Sequence, residues 1–178
     1  SVKKIFKLFD MELIDVFPQS THGGSMRYVI GRKNIHPIND NVTKCLENEK
    51  LKNLDNETSC NEFKSKCELS KIKTRESLLK FKNNNHRIAG YAATSKSTTV
   101  LNYCKIGKDH IDFIADSTNE KIGKFSPGMH IPIVSINHFH KNKPDIAILF
   151  SWNHKKEILQ KEKNFTKKGG KWISHIKK

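Results

Sequence analysis

From residue 86 onward the chain alternates short apolar runs with polar stretches, and this rhythm restricts its fold more than any other feature. Arg87 to Tyr91, Ile111 to Asp116, Ile131 to Val134, Ile146 to Ser151 and Lys171 to Ser174 each read as a strand. Between them lie a Ser/Thr loop, a helical stretch through Val100 to Tyr103, and a second from about His154 to Lys163. Gly169 and Gly170 then turn the chain into the last strand. Strand, loop, helix, strand in this order predicts an α/β fold, a mostly parallel sheet flanked by helices. Ligands of such sheets sit beyond the carboxyl ends of the strands, so the loops after Tyr91, Asp116 and Ser151 are the candidate ligand edge.

The first 85 residues read differently. Val2, Ile5, Phe6 and Phe9 fall on one face of a helix. Met11 to Phe17 predicts a strand stopped by a turn at Pro18, and Arg27 to Ile30 a second strand. Residues 41–85 read as two charged helices broken near Asp55 to Ser59 and ended by Asn83, Asn84 and Asn85. Their apolar stripe is Cys60, Phe63, Cys67, Thr74, Leu78 and Phe81. Three segments follow: 1–40, a helical connection over 41–85, and the α/β domain over 86–178. Beginning at Ser1, without methionine and directly in a helix, the sequence is expected to be part of something longer.

Charge sets the class of partner. Lys plus Arg number 33 against 18 Asp plus Glu, a net +15 that favours anions. Lysine supplies most of it. Arginine, the better reader of bases, occurs only four times, and no block of consecutive basic residues stands out, so nucleic acid is an unlikely partner. Cys45, Cys60, Cys67 and Cys104 form no CxxC pair, which argues against a zinc site. Reduced thiols, no leader and no bilayer-length apolar run predict a cytoplasmic protein without a membrane partner.

Six features could carry chemistry. Gly90-Tyr91-Ala92-Ala93-Thr94-Ser95-Lys96-Ser97 leaves a strand and opens a helix. Small residues let a phosphate approach the backbone, the helix start offers free N–H groups, and Lys96 adds a full charge. A strand-to-helix turn with hydroxyl caps is the plainer alternative. The stretch nearly matches the GxxxxGK[ST] phosphate loop, but Ser95 replaces the glycine that lets the backbone wrap phosphates, and GxGxxG is absent. Thr21-His22-Gly23-Gly24-Ser25-Met26-Arg27 is either a pocket-lining turn, with His22 and Arg27 donating to an oxyanion, or a plain hairpin bend. Phe125 to Pro132 favours a structural turn around Pro127-Gly128. Asp116 could bind a ribose hydroxyl or cap a helix. Trp152, Asn153 and His154 close the fourth strand. His138 and His140 suggest a metal pair but lack a third ligand.

The runs THGGSMRY, AGYAATSKSTTVLNYC, FSPGMHIPI, FSWNHKKEI and GGKWI, in that order, resemble the C-terminal domain of S-adenosylmethionine-dependent sugar C-methyltransferases. The likeness covers nearly the whole chain. It implies a Rossmann-like fold and a place downstream of zinc-binding and methyl-donor domains. The catalytic segment is then expected upstream of Ser1, and S-adenosylmethionine is expected to serve the full-length enzyme without binding this chain. The partner implied is a nucleotide-linked keto-deoxysugar. The substrate-binding set that follows is His22, Gly23, Gly24, Ser25, Arg27, Ser95, Lys96, Ser97, Asn102 and Asp116. Many members of the family have glycine where this chain has Ala92. The rival readings are a basic module for anions or nucleic acid, and a scaffold without a ligand.

Overall fold

A computed structural model describes residues 1–176. The chain divides into two compact units, Ser1–Lys64 and Ser65–Lys178.

In the first unit, α1 (Val2–Lys7) precedes an antiparallel hairpin of β1 (Met11–Gln19) and β2 (Ser25–Arg32), followed by α2 (Asp40–Leu51). Leu13, Val16 and Val42 are buried together, with Met26, Ile30, Cys45 and Leu46 packed partly against them. Two expectations are corrected here. Pro18 pairs opposite Met26 inside β1 instead of ending it. Every strand of a two-stranded ribbon is an edge, so a residue without an N–H can sit there with that side outward. The stripe of α1 buries nothing, because the helix stops at Lys7 and leaves Phe9 70% exposed beyond it.

Helix α3 (Glu57–Asn83) crosses from one unit into the other. The break before it falls after Leu51, near the expected Asp55 to Ser59. Its apolar stripe is not a continuous seam. Leu78 is fully buried and Phe81 packs beside it, whereas Cys60 and Phe63 are exposed. Apolar contact with the sheet is thus confined to the last turns, which is where the stripe has large residues at close helical spacing.

The second unit is built on β3 (Ile88–Tyr91), β4 (Phe113–Asp116), β5 (Ile133–Ser135), β6 (Ile146–Leu149) and β7 (Lys171–Ile173). They pair in the order β5-β4-β3-β6-β7, and every pairing is parallel. The strand period sorts side chains by size between the two faces. Ile88, Ile114, Ile133, Ile146 and Ile148 face α3 and α4 (Ser95–Cys104), joined by Leu78, Leu101 and Cys104. Ala89, Ala115 and Ala147 lie on the other face, where α5 (Ile136–Asn142), α6 (Lys155–Lys161) and α7 (Lys163–Lys167) pack. Those small residues make room for an aromatic cluster. Tyr91 meets Phe139 edge-on at 5.4 Å and Trp172 at 5.3 Å, and Phe165 meets Trp172 at 5.1 Å. Gly90 serves the first face: a Cβ there would lie 2.9 Å from the Phe150 ring and 3.0 Å from Ile114.

Three elements differ from expectation. Helix α5 was not anticipated from INHFHKN; Ser135 starts it by accepting from the His138 N–H at 3.2 Å. The helix expected from His154 to Lys163 is a short 3₁₀ turn (Trp152–His154) plus α6 and α7, split at buried Glu162. The third strand begins two residues later than expected, because Pro132 bridges back to Phe125 before β5 starts.

Candidate functional site

In the order β5-β4-β3-β6-β7, successive strands run one way from β3 and then the other, so the reversal lies between β3 and β6. Loops leaving those two strands diverge to opposite faces and open a crevice at their carboxyl ends. A cleft of about 290 Å³ lies there, lined by Tyr91, Ala92, Asp116, Ser117, Ser151 and His154 among others. A larger hollow, about 720 Å³, runs along α3 beside Lys66, Lys73, Lys80 and His175. The smaller cleft is the better candidate, because the ends of β3 and β4 and the chain leaving β6 line it, and α4 starts a few residues further along the chain leaving β3.

The wall leaving β3 is held by its own hydrogen bonds. Ala92 turns left-handed, with φ +73°, and its N–H donates to the Ala115 carbonyl at 2.8 Å. A non-glycine residue there is strained, which gives physical content to the glycine often found at this position in the family pattern. Next, the Ala93 N–H donates to Asp116 Oδ2 at 2.6 Å, while Thr118 N–H donates to Asp116 Oδ1 at 2.8 Å. Lys121 Nζ donates to the Ala93 carbonyl at 2.7 Å and lies 3.6 Å from Asp116 Oδ2.

Thr94 caps α4. Its Oγ1 accepts from the Ser97 N–H at 3.3 Å, and Ser97 Oγ accepts from the Thr94 N–H at 2.9 Å. The Thr98 N–H returns to the Thr94 carbonyl, so the N–H groups of Ser95 and Lys96 are left without an intrahelical acceptor. Ser95 is exposed and Lys96 half-exposed. The arrangement can receive an anion on two backbone donors and one ammonium.

The sequence-derived residues fall into separate groups. Ser95 and Lys96 stand at the start of α4. Ser97 is buried, and its hydroxyl is engaged in the cap. Asp116 ends β4, the place of the ribose acid in dinucleotide folds, but both its oxygens accept from the chain's own backbone. Asn102 lies in the last turn of α4, donating to the Thr98 carbonyl at 2.8 Å and the Pro127 carbonyl at 3.0 Å; it braces the Pro127-Gly128 turn. His22, Gly23, Gly24, Ser25 and Arg27 belong to the first unit. There the chain bends from β1 to β2 with positive φ at His22, Gly23 and Gly24. All five are exposed, and the Arg27 guanidinium stacks over Phe17, 4.5 Å from the ring centre.

Sequence reasoning missed the roles of three residues, the last of which it had considered only as a metal ligand. Lys121 is one. The second is Glu162, only 2% exposed, whose Oε1 accepts from the Tyr91 hydroxyl at 2.8 Å. The third is His140, whose Nε2 lies 2.6 Å from Glu162 Oε2. Burial first, then the hydrogen bond and charge of Glu162 and the charge of Asp116, push the Tyr91 phenol pKa far up, so it stays protonated. A glutamate flanked by Lys161 and Lys163 gave no signal of burial. The suggested metal pair is also resolved. His138 packs on Phe113 at 5.0 Å while His140 turns to Glu162, and among the described residues no group of three or more His, Cys, Asp or Glu could hold a metal.

A parallel sheet wound in both directions from β3, with helices on both faces, defines a Rossmann-like domain. Comparison with known families makes this specific: residues 20–176 match the C-methyltransferase C-terminal domain, and the chain belongs to that family. It is 30% identical over 177 residues to the C-methyltransferase NovU of Streptomyces niveus. The alignment covers 99% of this chain and 42% of that relative, so the chain spans about two fifths of the relative's length. Among the described residues no helix is long and apolar enough to cross a membrane.

Proposed function

We propose that this chain is the C-terminal portion of an S-adenosylmethionine-dependent C-methyltransferase and contributes to binding a nucleotide-linked keto-deoxysugar. The observation that carries the reading is the start of α4, where the Ser95 and Lys96 N–H groups and the Lys96 ammonium stand free beside the switch point. A diphosphate held there is anchored far from the reacting carbon. Binding energy from that remote group then orients the sugar, whose proton beside the keto group is removed so that the enolate can take a methyl group. The reacting groups are assigned to upstream domains, with the zinc-binding region among them, and the protein to the cytoplasm.

The methyl donor supplies an electrophilic methyl group when bound, and the residues present do not fit it. No GxGxxG turn follows β3, and the acid at the end of β4 is committed to Ala93 and Thr118.

Calorimetry with a thymidine diphosphate sugar and with S-adenosylmethionine tests the reading. Weak, salt-sensitive binding of the former and none of the latter is expected. Tight binding of S-adenosylmethionine overturns it, as does absence of diphosphate binding. The +15 charge favours one rival, a nucleic-acid module. A mobility shift that persists at physiological salt revives it.

A further inference from the structure

We propose that Lys121 is a positioning residue that fixes the loop after β3 in its ligand-receiving shape. This rests on the reading of α4 as the diphosphate anchor. Lys121 lies in the connection after β4, far in sequence from the loop it touches, yet its ammonium donates to the Ala93 carbonyl at 2.7 Å. The same ammonium lies 3.6 Å from Asp116 Oδ2, which accepts the Ala93 N–H at 2.6 Å. Both polar groups of the Ala93 backbone are therefore held by one ion pair. That residue sits between left-handed Ala92 and the cap Thr94, so the pair sets the direction in which α4 presents its first N–H groups.

The clamp has a physical reason. Ala92 occupies a backbone region that disfavours side chains, and such a conformation persists only where surrounding contacts over-determine it. With glycine at this position the turn would need less restraint. Here Asp116 is buried and cannot be satisfied by water, which makes the lysine its one cationic partner among the described ion pairs. The cation also neutralises a carboxylate that would otherwise repel a diphosphate at the same helix start.

Lys121→Met and Lys121→Arg, compared with the unaltered 178-residue chain, decide the matter. Two readouts are needed: affinity for thymidine 5′-diphosphate and amide hydrogen exchange over residues 92–97. Lys121→Met is expected to weaken binding about tenfold and to speed exchange in that loop more than in the rest of the second unit. Lys121→Arg is expected to restore most of both. If the unaltered chain binds and Lys121→Met binds equally well, the clamp does not position the ligand and the inference fails alone. If exchange is unchanged, it fails as well. If the unaltered chain does not bind thymidine diphosphate, the proposed function fails and takes this inference with it.

Discussion

Replacing Tyr91 by phenylalanine removes one oxygen from an aromatic cluster and leaves the rings that pack on Phe139 and Trp172 in place. Among the described residues, the oxygen donates to Glu162 Oε1 at 2.8 Å. Glu162 is 2% exposed, so water cannot take over as donor. Hydrogen bonds to charged groups contribute about 1.5–3 kcal/mol, and a buried acceptor left unpaired sits toward the upper part of that range. We expect Tyr91→Phe to lower the unfolding free energy of the second unit by about 2 kcal/mol, worth roughly 6–10 °C in Tm for a domain of this size. Urea denaturation at neutral pH measures it, with an unchanged m-value showing that the native surface is kept. A cycle with Glu162→Ala isolates the pair, because alanine removes the phenol's acceptor and the loss at His140 is common to both arms and cancels. A coupling energy near zero, or a loss below about 0.5 kcal/mol, refutes the network as a source of stability.

Three further outcomes are expected. Lys96→Ala should weaken diphosphate affinity about tenfold, the fold-change for loss of one charge-assisted contact, and reduce the salt dependence of binding; equal affinity in calorimetry supports the scaffold alternative. Gly90→Ala should destabilise by about 1–3 kcal/mol, read by thermal melting, because the new methyl meets the Phe150 ring and Ile114 at once. Burial lowers the pKa of His110 below its usual 6.5, with Arg75 adding to the shift. The unfolded chain therefore takes up its proton first, and stability should be lost as pH falls through about 6.5 toward the folded value. His110→Gln should flatten that slope in melts across pH 5–7.5.

What could be read from the sequence followed the range of the interactions involved. The parallel sheet was legible because each strand is a local apolar run bounded by turn residues, and the start of α4 because Thr94, Ser95, Lys96 and Ser97 are contiguous. The Ser97 hydroxyl, expected to face a ligand, is engaged locally instead: three residues after a threonine cap, it closes the capping box. Helix α5 went unseen because it is only about two turns long and its stability comes from burying Phe139 under the aromatic cluster. The pairings of Glu162, His140 and Lys121 went unseen because the partners are 71, 22 and 28 residues away, and neither charge nor composition encodes such contacts.

Asp116 shows how far position alone can specify chemistry in this fold. At the end of the second strand of a doubly wound sheet an acid is placed to meet a ribose, and the sequence puts one there. Whether it reaches a ligand depends on what leaves the first strand. In a glycine-rich turn the backbone passes the acid without needing it. In this chain Ala92 enters the turn under strain, and the Ala93 N–H is directed into the protein, where an acceptor is obligatory. The carboxylate answers that demand, and Lys121 balances its charge. The alanine after Tyr91 and the inward-facing acid are therefore linked, and Ala92→Gly should loosen the dependence of the loop on Asp116. In that background, Asp116→Asn should cost measurably less stability than it does beside alanine. Equal costs in the two backgrounds, measured by chemical denaturation, would show that the acid is held inward for some other reason.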